Sequence, residues 1–242
     1  MKFTIHCNPL IPWQKKRGAF FVEGLKKAGH QCEVAEIQDG RQRRDGFPVL
    51  LGTTFWRGIE NDGGEYLLVD RCSFGDTDVF VSLVYNGHGR RGDHRIPENF
   101  NGERWERYGD PILPWRAGTR RILCGQTEAY APDVQLEQWY ASVRATHFRP
   151  HPAGENQTGL PVAADFENCQ CAITLNSSVG VKAVLAGTPL VTMDEGAMAW
   201  DVSSHDPEVI VMPEREPWAH RLAWTQWTDD EVREGAPWEF HW

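Results

Sequence analysis

The chain has 242 residues, 40% of them hydrophobic and 24% charged, enough for one large domain or two of ordinary size with buried cores. Its formal net charge of −9 excludes broad electrostatic attraction to nucleic acid or anionic lipid, though not a local basic cleft. Six cysteines without a C-x-x-C pair argue against a zinc ribbon and for free thiols in a reducing compartment.

The opening stretch MKFTIHCNPL carries too short an apolar run for a secretory leader. No window holds about eighteen consecutive apolar residues, so no membrane span is expected and a cytoplasmic location is. KFTIHC (2–7) reads as a buried strand. Residues 16–30 show helical spacing, with Phe20, Leu25 and Ala28 near one face and Gly29 as a stop. QCEVAEI (31–37) alternates as a strand does, so the chain opens β-α-β with parallel strands. Arg41, Arg43 and Arg44 read as solvated loop charges.

VLLGTTFW (49–56), EYLLVD (65–70) and DVFVSLVYNG (78–87) are strand-like. The stretch 87–119 is dense in Gly, Pro and charge, and is too long for a linker with no role of its own. From 120 a β-α rhythm resumes. Strands are expected at RILC (121–124), 146–150, 171–175, 189–193 and 208–212. Helices are expected near 133–145, 161–168 and 179–187, and another opened by Pro217. TDDE (228–231) has the spacing of a capping box, and Gly235 would end that helix. The pattern divides the chain into α/β halves at 1–118 and 119–242, with no sequence repeat between them.

Chemistry concentrates in the second half. The strand ending at Leu175 runs into Asn176, Ser177 and Ser178 and at once into a helix, where unpaired N–H donors and the helix dipole favour an anion. Gly180 lets a ligand or a neighbouring strand approach. A bland capping role for either serine competes with that reading. One β-α unit earlier, His151 stands between Pro150 and Pro152, with Arg149 two residues before it. Successive βα loops meet at the carboxyl ends of the strands, so His151 and the serines are expected to grasp one phosphate. Gly125 and Gln126 end the preceding strand at the same edge.

This His-Pro pair followed by N-S-S-x-G-x-x-A-x-x-x-G-x-P resembles the donor-binding half of GT-B glycosyltransferases, the bacterial sialyl- and Kdo-transferase type with HP and SS motifs. The match spans about 120–200. It implies a compact α/β GT-B-like fold, two Rossmann-like halves facing a central cleft, with 1–118 on the acceptor side and 119–242 holding the donor. The C-terminal helix would cross back to the first half. By that resemblance His151, Ser177 and Ser178 contact a nucleotide-sugar, a UDP- or CMP-sugar, with Asn176, Gly180, Arg149 and Gln126 beside them. The nucleotide-sugar is a co-substrate, and no cofactor or metal is implied. DRCSFGDTDVFVSLVYNGHGRRGD also resembles small glycosyltransferase-like proteins of bacteriophages, some of which modify hydroxylated pyrimidines in DNA.

Such a transferase needs a carboxylate to take the acceptor's proton. Asp93 and Asp70 are the leading candidates, ahead of Glu60 and Asp62, and Asp93 has a bland alternative as partner of Arg90 or Arg91. Arg90, Arg91 and Trp56 are candidates on the acceptor side. His88 and His94 read as ordinary loop histidines. The D-T-D at 76–78 precedes its strand and reads as a turn rather than a metal site. Trp218, Trp224 and Trp227 are expected on one helix as packing, and Trp13, Trp56, Trp105 and Trp115 in loops as packing or as platforms for sugar or base. Two other classes stay open: a sugar-nucleotide epimerase or hydrolase, and a binding module without catalysis. Oligomeric state is open as well.

Overall fold

The structure is a computed structural model, and it describes residues 1–36, 46–52, 63–128, 131, 133–151 and 162–241. Trp56, Glu60, Asp62 and the arginines at 41–44 lie outside the described residues. The chain forms two compact units. One comprises Met1–Arg104 with Arg221–Trp242, and the other Trp105–His220. Residues 105–118 thus cluster with the second unit and the last 22 residues with the first, whereas the sequence rhythm divided the chain at 118/119.

The first unit holds a six-stranded sheet. β1 (Lys2–Cys7) lies between β2 (Gln31–Glu36) and β3 (Phe47–Leu51), and β4 (Leu67–Arg71) follows β3, all parallel. β5 (Phe80–Tyr85) and β10 (Gln226–Thr228) add on antiparallel beyond β4. Alternate residues on the strands, Phe3, Ile5, Val49, Leu51, Leu67 and Val69, face one buried layer with Phe21 and Leu25 of α1 (Pro12–Lys27). Full burial of one such leucine contributes about 1.5–3 kcal/mol. Trp227, with Val232 of α7 (Asp229–Glu234) and Trp238 of α8 (Ala236–His241), closes the same layer.

Helix α1 starts earlier than its spacing suggested, because Pro12 at the first turn is preorganised for helix. The buried aromatic is therefore Phe21. Phe20 lies between the cations of Lys16 and Arg233, and Ala28 is exposed. Gly29 at φ 81 ends the helix: its amide and that of His30 reach back to the carbonyls of Lys26 and Leu25. The capping box at Thr228 is present in both directions, with Glu231 returning to the Thr228 amide, and Gly235 takes the left-handed conformation that stops α7.

The second unit holds a four-stranded, all-parallel sheet in the order β7 (His147–Arg149), β6 (Arg120–Cys124), β8 (Cys169–Thr174), β9 (Leu190–Thr192). Its helices are α2 (Glu103–Tyr108, entered from the first unit), α3 (Leu136–Ser142), α4 (Val162–Asp165), α5 (Val179–Leu185) and α6 (Glu216–Ala223, which runs on into the first unit). By chain order the four parallel strands read 2-1-3-4 in each unit. The two halves thus share a topology that their sequences do not show.

The strand expected at 208–212 does not form. The outer edge of β9 is already bonded by Ser204, whose amide and carbonyl pair with Leu190 and Thr192, and Val209 and Met212 stay exposed. The stretch after Tyr108 does serve the fold, since the amides of Leu113 and Arg116 bond to the carbonyls of Leu185, the last residue of α5, and of Gly187 beyond it, and Arg215 joins Val184 to Leu113. Trp218, Trp224 and Trp227 do not share a helix, since α6 ends at Ala223 and Trp227 lies in β10. Trp105 is buried in α2 rather than exposed on a loop, and Trp115 stacks under the Arg215 guanidinium at 3.8 Å.

Candidate functional site

In the second unit the chain passes from β6 outward to β7 and then returns across β6 to β8. The strand order therefore reverses between β6 and β8, and in an open α/β sheet that reversal leaves a crevice at the carboxyl ends of the strands. A cavity of about 150 Å³ lies there. β6 contributes Cys124 and Gly125, β7 contributes Arg149, Pro150 and His151, and the turn after β8 contributes Ser177 and Ser178. Val179 and Lys182 of α5 and Val162 of α4 complete the lining.

The local backbone explains the convergence. Gly125 donates its amide to the Arg149 carbonyl at 2.7 Å, and a Cβ on Gly125 would stand 2.7 Å from the His151 nitrogen. Only glycine lets β6 and the chain at His151 come so close. Ser177 Oγ accepts the Val179 amide at 3.3 Å, so this hydroxyl does cap the helix start. Ser178, at the N-cap, makes no side-chain cap bond. Gly180 serves packing rather than ligand approach, because a Cβ there would meet Leu190 Cδ2 at 3.0 Å.

The charges divide unevenly. Arg149 is ion-paired with Asp165, so its positive charge is balanced within the fold. Burial holds the His151 imidazole below its ordinary pKa, which favours the neutral ring. Lys182 is exposed at the cavity wall, and among the described residues no carboxylate pairs with it. Sequence reasoning passed over Lys182. The usable signal was its spacing of four from Ser178, which puts both side chains on one helix face. Burial, then the neighbouring Cys169, push the Cys124 thiol up to about 12, so it stays an inert apolar wall. Cys169 is likewise pushed to about 12 by burial.

Besides Gly180, two expected ligand contacts, Gln126 and Asn176, are not among the cavity residues. Gln126 has its backbone amide and carbonyl both bonded by the Tyr140 hydroxyl, at 2.7 and 3.1 Å. Asn176 Nδ2 donates to Asp194 at 3.1 Å and ties the β8 turn to the segment after β9.

In the first unit the carboxylate candidates separate. Asp70 is the penultimate residue of β4 and partly buried, and its Oδ2 lies 3.3 Å from His88 Nε2. Asp93 is exposed, its carboxylate accepting the Arg95 amide at 2.7 Å and facing the Arg95 guanidinium, where the sequence pointed to Arg90 or Arg91. Arg90 and Arg91 form a 3-10 turn, Gly89–Arg91. His94 is no idle loop residue: it is buried, with Nδ1 2.8 Å from the Leu83 carbonyl and Nε2 3.1 Å from that of Gly89. Asp76 makes the expected turn, its carboxylate accepting the Asp78 amide. Among the described residues no three His, Cys, Asp or Glu side chains group as a metal site.

Parallel strands in both units, and a crevice at the strand reversal of the second, define an α/β fold of Rossmann type. A solved β-Kdo 2,7 transferase, KpsC of Thermosulfurimonas dismutans, aligns over 99% of this chain and 100% of its own at TM-score 0.52 and 12% identity, a likeness of fold. A periplasmic sugar-binding protein from Pseudomonas fluorescens aligns over 79% of this chain and 67% of its own, at TM-score 0.27 and 12% identity, too low to bear on the fold. No family model matches the chain, and no curated protein matches its sequence.

Proposed function

We propose that the protein is a glycosyltransferase of GT-B type that takes a sugar from a nucleotide-activated donor, the donor's phosphate lodging in the second unit. The observation that carries this is the meeting of His151, Ser178 and Lys182 in one crevice at the strand reversal. The neutral imidazole and the Ser178 hydroxyl donate hydrogen bonds to phosphate oxygens, and Lys182 supplies the charge. Arg149 is neutralised by Asp165 rather than lending its charge to the ligand. Asp70 is the carboxylate that fits the acceptor side better, since exposed Asp93 is spent on a turn.

The acceptor is a hydroxyl. A hydroxylated or hydroxymethylated pyrimidine in DNA rests on sequence resemblance, with Arg90 and Arg91 as the cations it would use, and the net charge of −9 opposes it. No described helix is long and apolar enough to cross a membrane. We place the reaction in the cytoplasm, without a metal.

A thermal-shift screen across UDP-, CMP-, GDP- and TDP-sugars tests the reading, because a ligand that binds only the folded state raises the melting point. One nucleotide class is expected to raise it, and His151→Ala or Ser178→Ala to reduce the rise. No shift with any donor would overturn the assignment. Release of free nucleotide without an acceptor would favour a hydrolase on the same scaffold.

A further inference from the structure

The strand-order reversal of the second unit has a counterpart in the first, where the chain runs from β1 outward to β2 and returns across β1 to β3. The carboxyl ends of β1 and β3 lie side by side at that reversal. α1 starts there, and it starts bare: Ile11 at the N-cap gives no side-chain bond, and the first turn holds no acid. Pro12 has no N–H, and the amides of Gln14 and Lys15 both turn back to the Ile11 carbonyl at 3.1 Å. The Trp13 N–H is left without a partner among the described residues. Water alone would satisfy a bare helix start, but Gln14 makes this one different. It is only 3% exposed. Its Oε1 accepts the Asn8 amide at 2.8 Å, which folds the carboxamide back over the start of α1. Because the Asn8 N–H can only donate, the oxygen and nitrogen of the carboxamide cannot exchange places. Nε2 therefore faces the end of β3, where a Cβ on Gly52 would stand 2.8 Å from it. The amide fits there because residue 52 is glycine, at φ 86. Nε2 meets no acceptor among the described residues, so a buried NH2 group faces the reversal with both hydrogens unused.

We infer that Gln14 and the start of α1 form an anion seat in the first unit, for the carboxylate or phosphate of a small ligand. The seat offers donors: two hydrogens on Nε2, the Trp13 N–H, and the positive end of the dipole of a 16-residue helix. These donors would repel a cation, and they suit an oxyanion better than a neutral hydroxyl, because hydrogen bonds to a charged acceptor are the stronger ones. Lys15 is exposed in the same turn and adds positive charge. The Trp13 indole flanks the carboxamide, with its Cζ2 and Cη2 3.3 and 3.6 Å from the same Cβ point on Gly52, and gives the body of the ligand an aromatic neighbour. A bound oxyanion restores the hydrogen bonds that Nε2 loses on burial. The seat lies wholly within the first unit, and it holds its ligand whether or not the chain transfers sugar.

The test titrates the full chain with sodium phosphate and with sodium acetate at constant ionic strength. It uses a Lys182→Met background, which weakens any phosphate binding in the second unit. Proton–nitrogen correlation spectra, assigned by triple-resonance NMR, read the Gln14 side-chain amide and the Trp13 backbone amide. Both signals should move together and saturate with at least one of the anions, giving one dissociation constant. Saturation by phosphate alone assigns a phosphate ligand, by acetate alone a carboxylate, and by both a seat that takes either. Gln14→Met keeps the length of the side chain without its polar atoms, and should weaken the binding read at the Trp13 amide about tenfold. No saturable movement of the Gln14 amide with either anion overturns the inference, and so does an unchanged Trp13 response in Gln14→Met. If Gln14→Met does not fold, the titration of the Gln14 amide decides by itself.

Discussion

Gly125 and His151 are in backbone contact: a methyl group on the one would stand 2.7 Å from the nitrogen of the other. The bond from the Gly125 amide to the Arg149 carbonyl fixes the same approach. Gly125→Ala should push the turn at His151 away from β6 and cost about 1–3 kcal/mol by overpacking. Urea unfolding would read that loss. Calorimetry with the best nucleotide sugar should show a drop in affinity larger than in His151→Ala, since the whole turn moves.

Loss of charge at Lys182 and at Asp165 should have opposite effects on binding. Lys182→Met should leave unfolding within about 0.5 kcal/mol of wild type, as exposed substitutions do. It should weaken nucleotide-sugar binding about tenfold, the equivalent of about 1.4 kcal/mol. Asp165→Asn frees the Arg149 charge beside the cavity, and should strengthen phosphate binding and steepen its salt dependence. Titration calorimetry at two salt concentrations separates the two. Loss of affinity in Asp165→Asn would mean that Arg149 positions the turn only through that pair.

Buried histidines set an acid limit. Burial lowers the pKa of His94, with the Leu83 and Gly89 carbonyls and Asp93 pulling the other way and Arg221 adding to the lowering. Burial lowers that of His151 as well. The folded state thus binds fewer protons than the unfolded chain below about pH 6.5, and stability falls as pH drops from there towards the lower folded pKa values. Above that range the two histidines contribute no pH dependence. Denaturant midpoints between pH 7.5 and 5.5 should fall in wild type and fall less in His94→Gln.

Gly24 marks the closest approach of α1 and α7. A Cβ there would meet the Val232 carbonyl oxygen at 1.9 Å and Trp238 Nε1 at 3.1 Å. Gly24→Ala should therefore destabilise despite alanine's better helix propensity, by about 1–3 kcal/mol. Gly29→Ala, with open space around it but φ at 81, should destabilise by about 1 kcal/mol through backbone strain alone. Thermal unfolding of both variants checks the ranking.

Arg104 is tied to Glu231 at 2.5 and 2.8 Å, and it also reaches the carbonyls of Ala223 and Gln226. Burial alone would raise the Glu231 pKa, yet Arg104 and the Thr228 amide hold it below the usual carboxylate range. Arg104→Leu strands a half-buried carboxylate and should cost about 3 kcal/mol or more at pH 7. That loss should shrink as acid protonates Glu231, which a pH series of unfolding curves would show.

Local chemistry made several features readable from residues alone. Thr228 and Glu231 form a capping box because its bonds span only three positions, and Gly29 and Gly235 stop helices because their own φ requires it. The βα loops carrying His151 and the two serines were legible for the same reason: strand, turn and helix signals are local in the chain. Strand order, charge balance and the partners of polar side chains are not local. The sequence could not show that Asp165 neutralises Arg149, that Ser204 displaces residues 208–212 from the edge of β9, or that residues 221–242 close the core around Phe21. Nor could it show that His88 meets Asp70 across 18 positions. Those contacts depend on which surfaces the packed core leaves facing one another, and that is decided only when the whole chain folds.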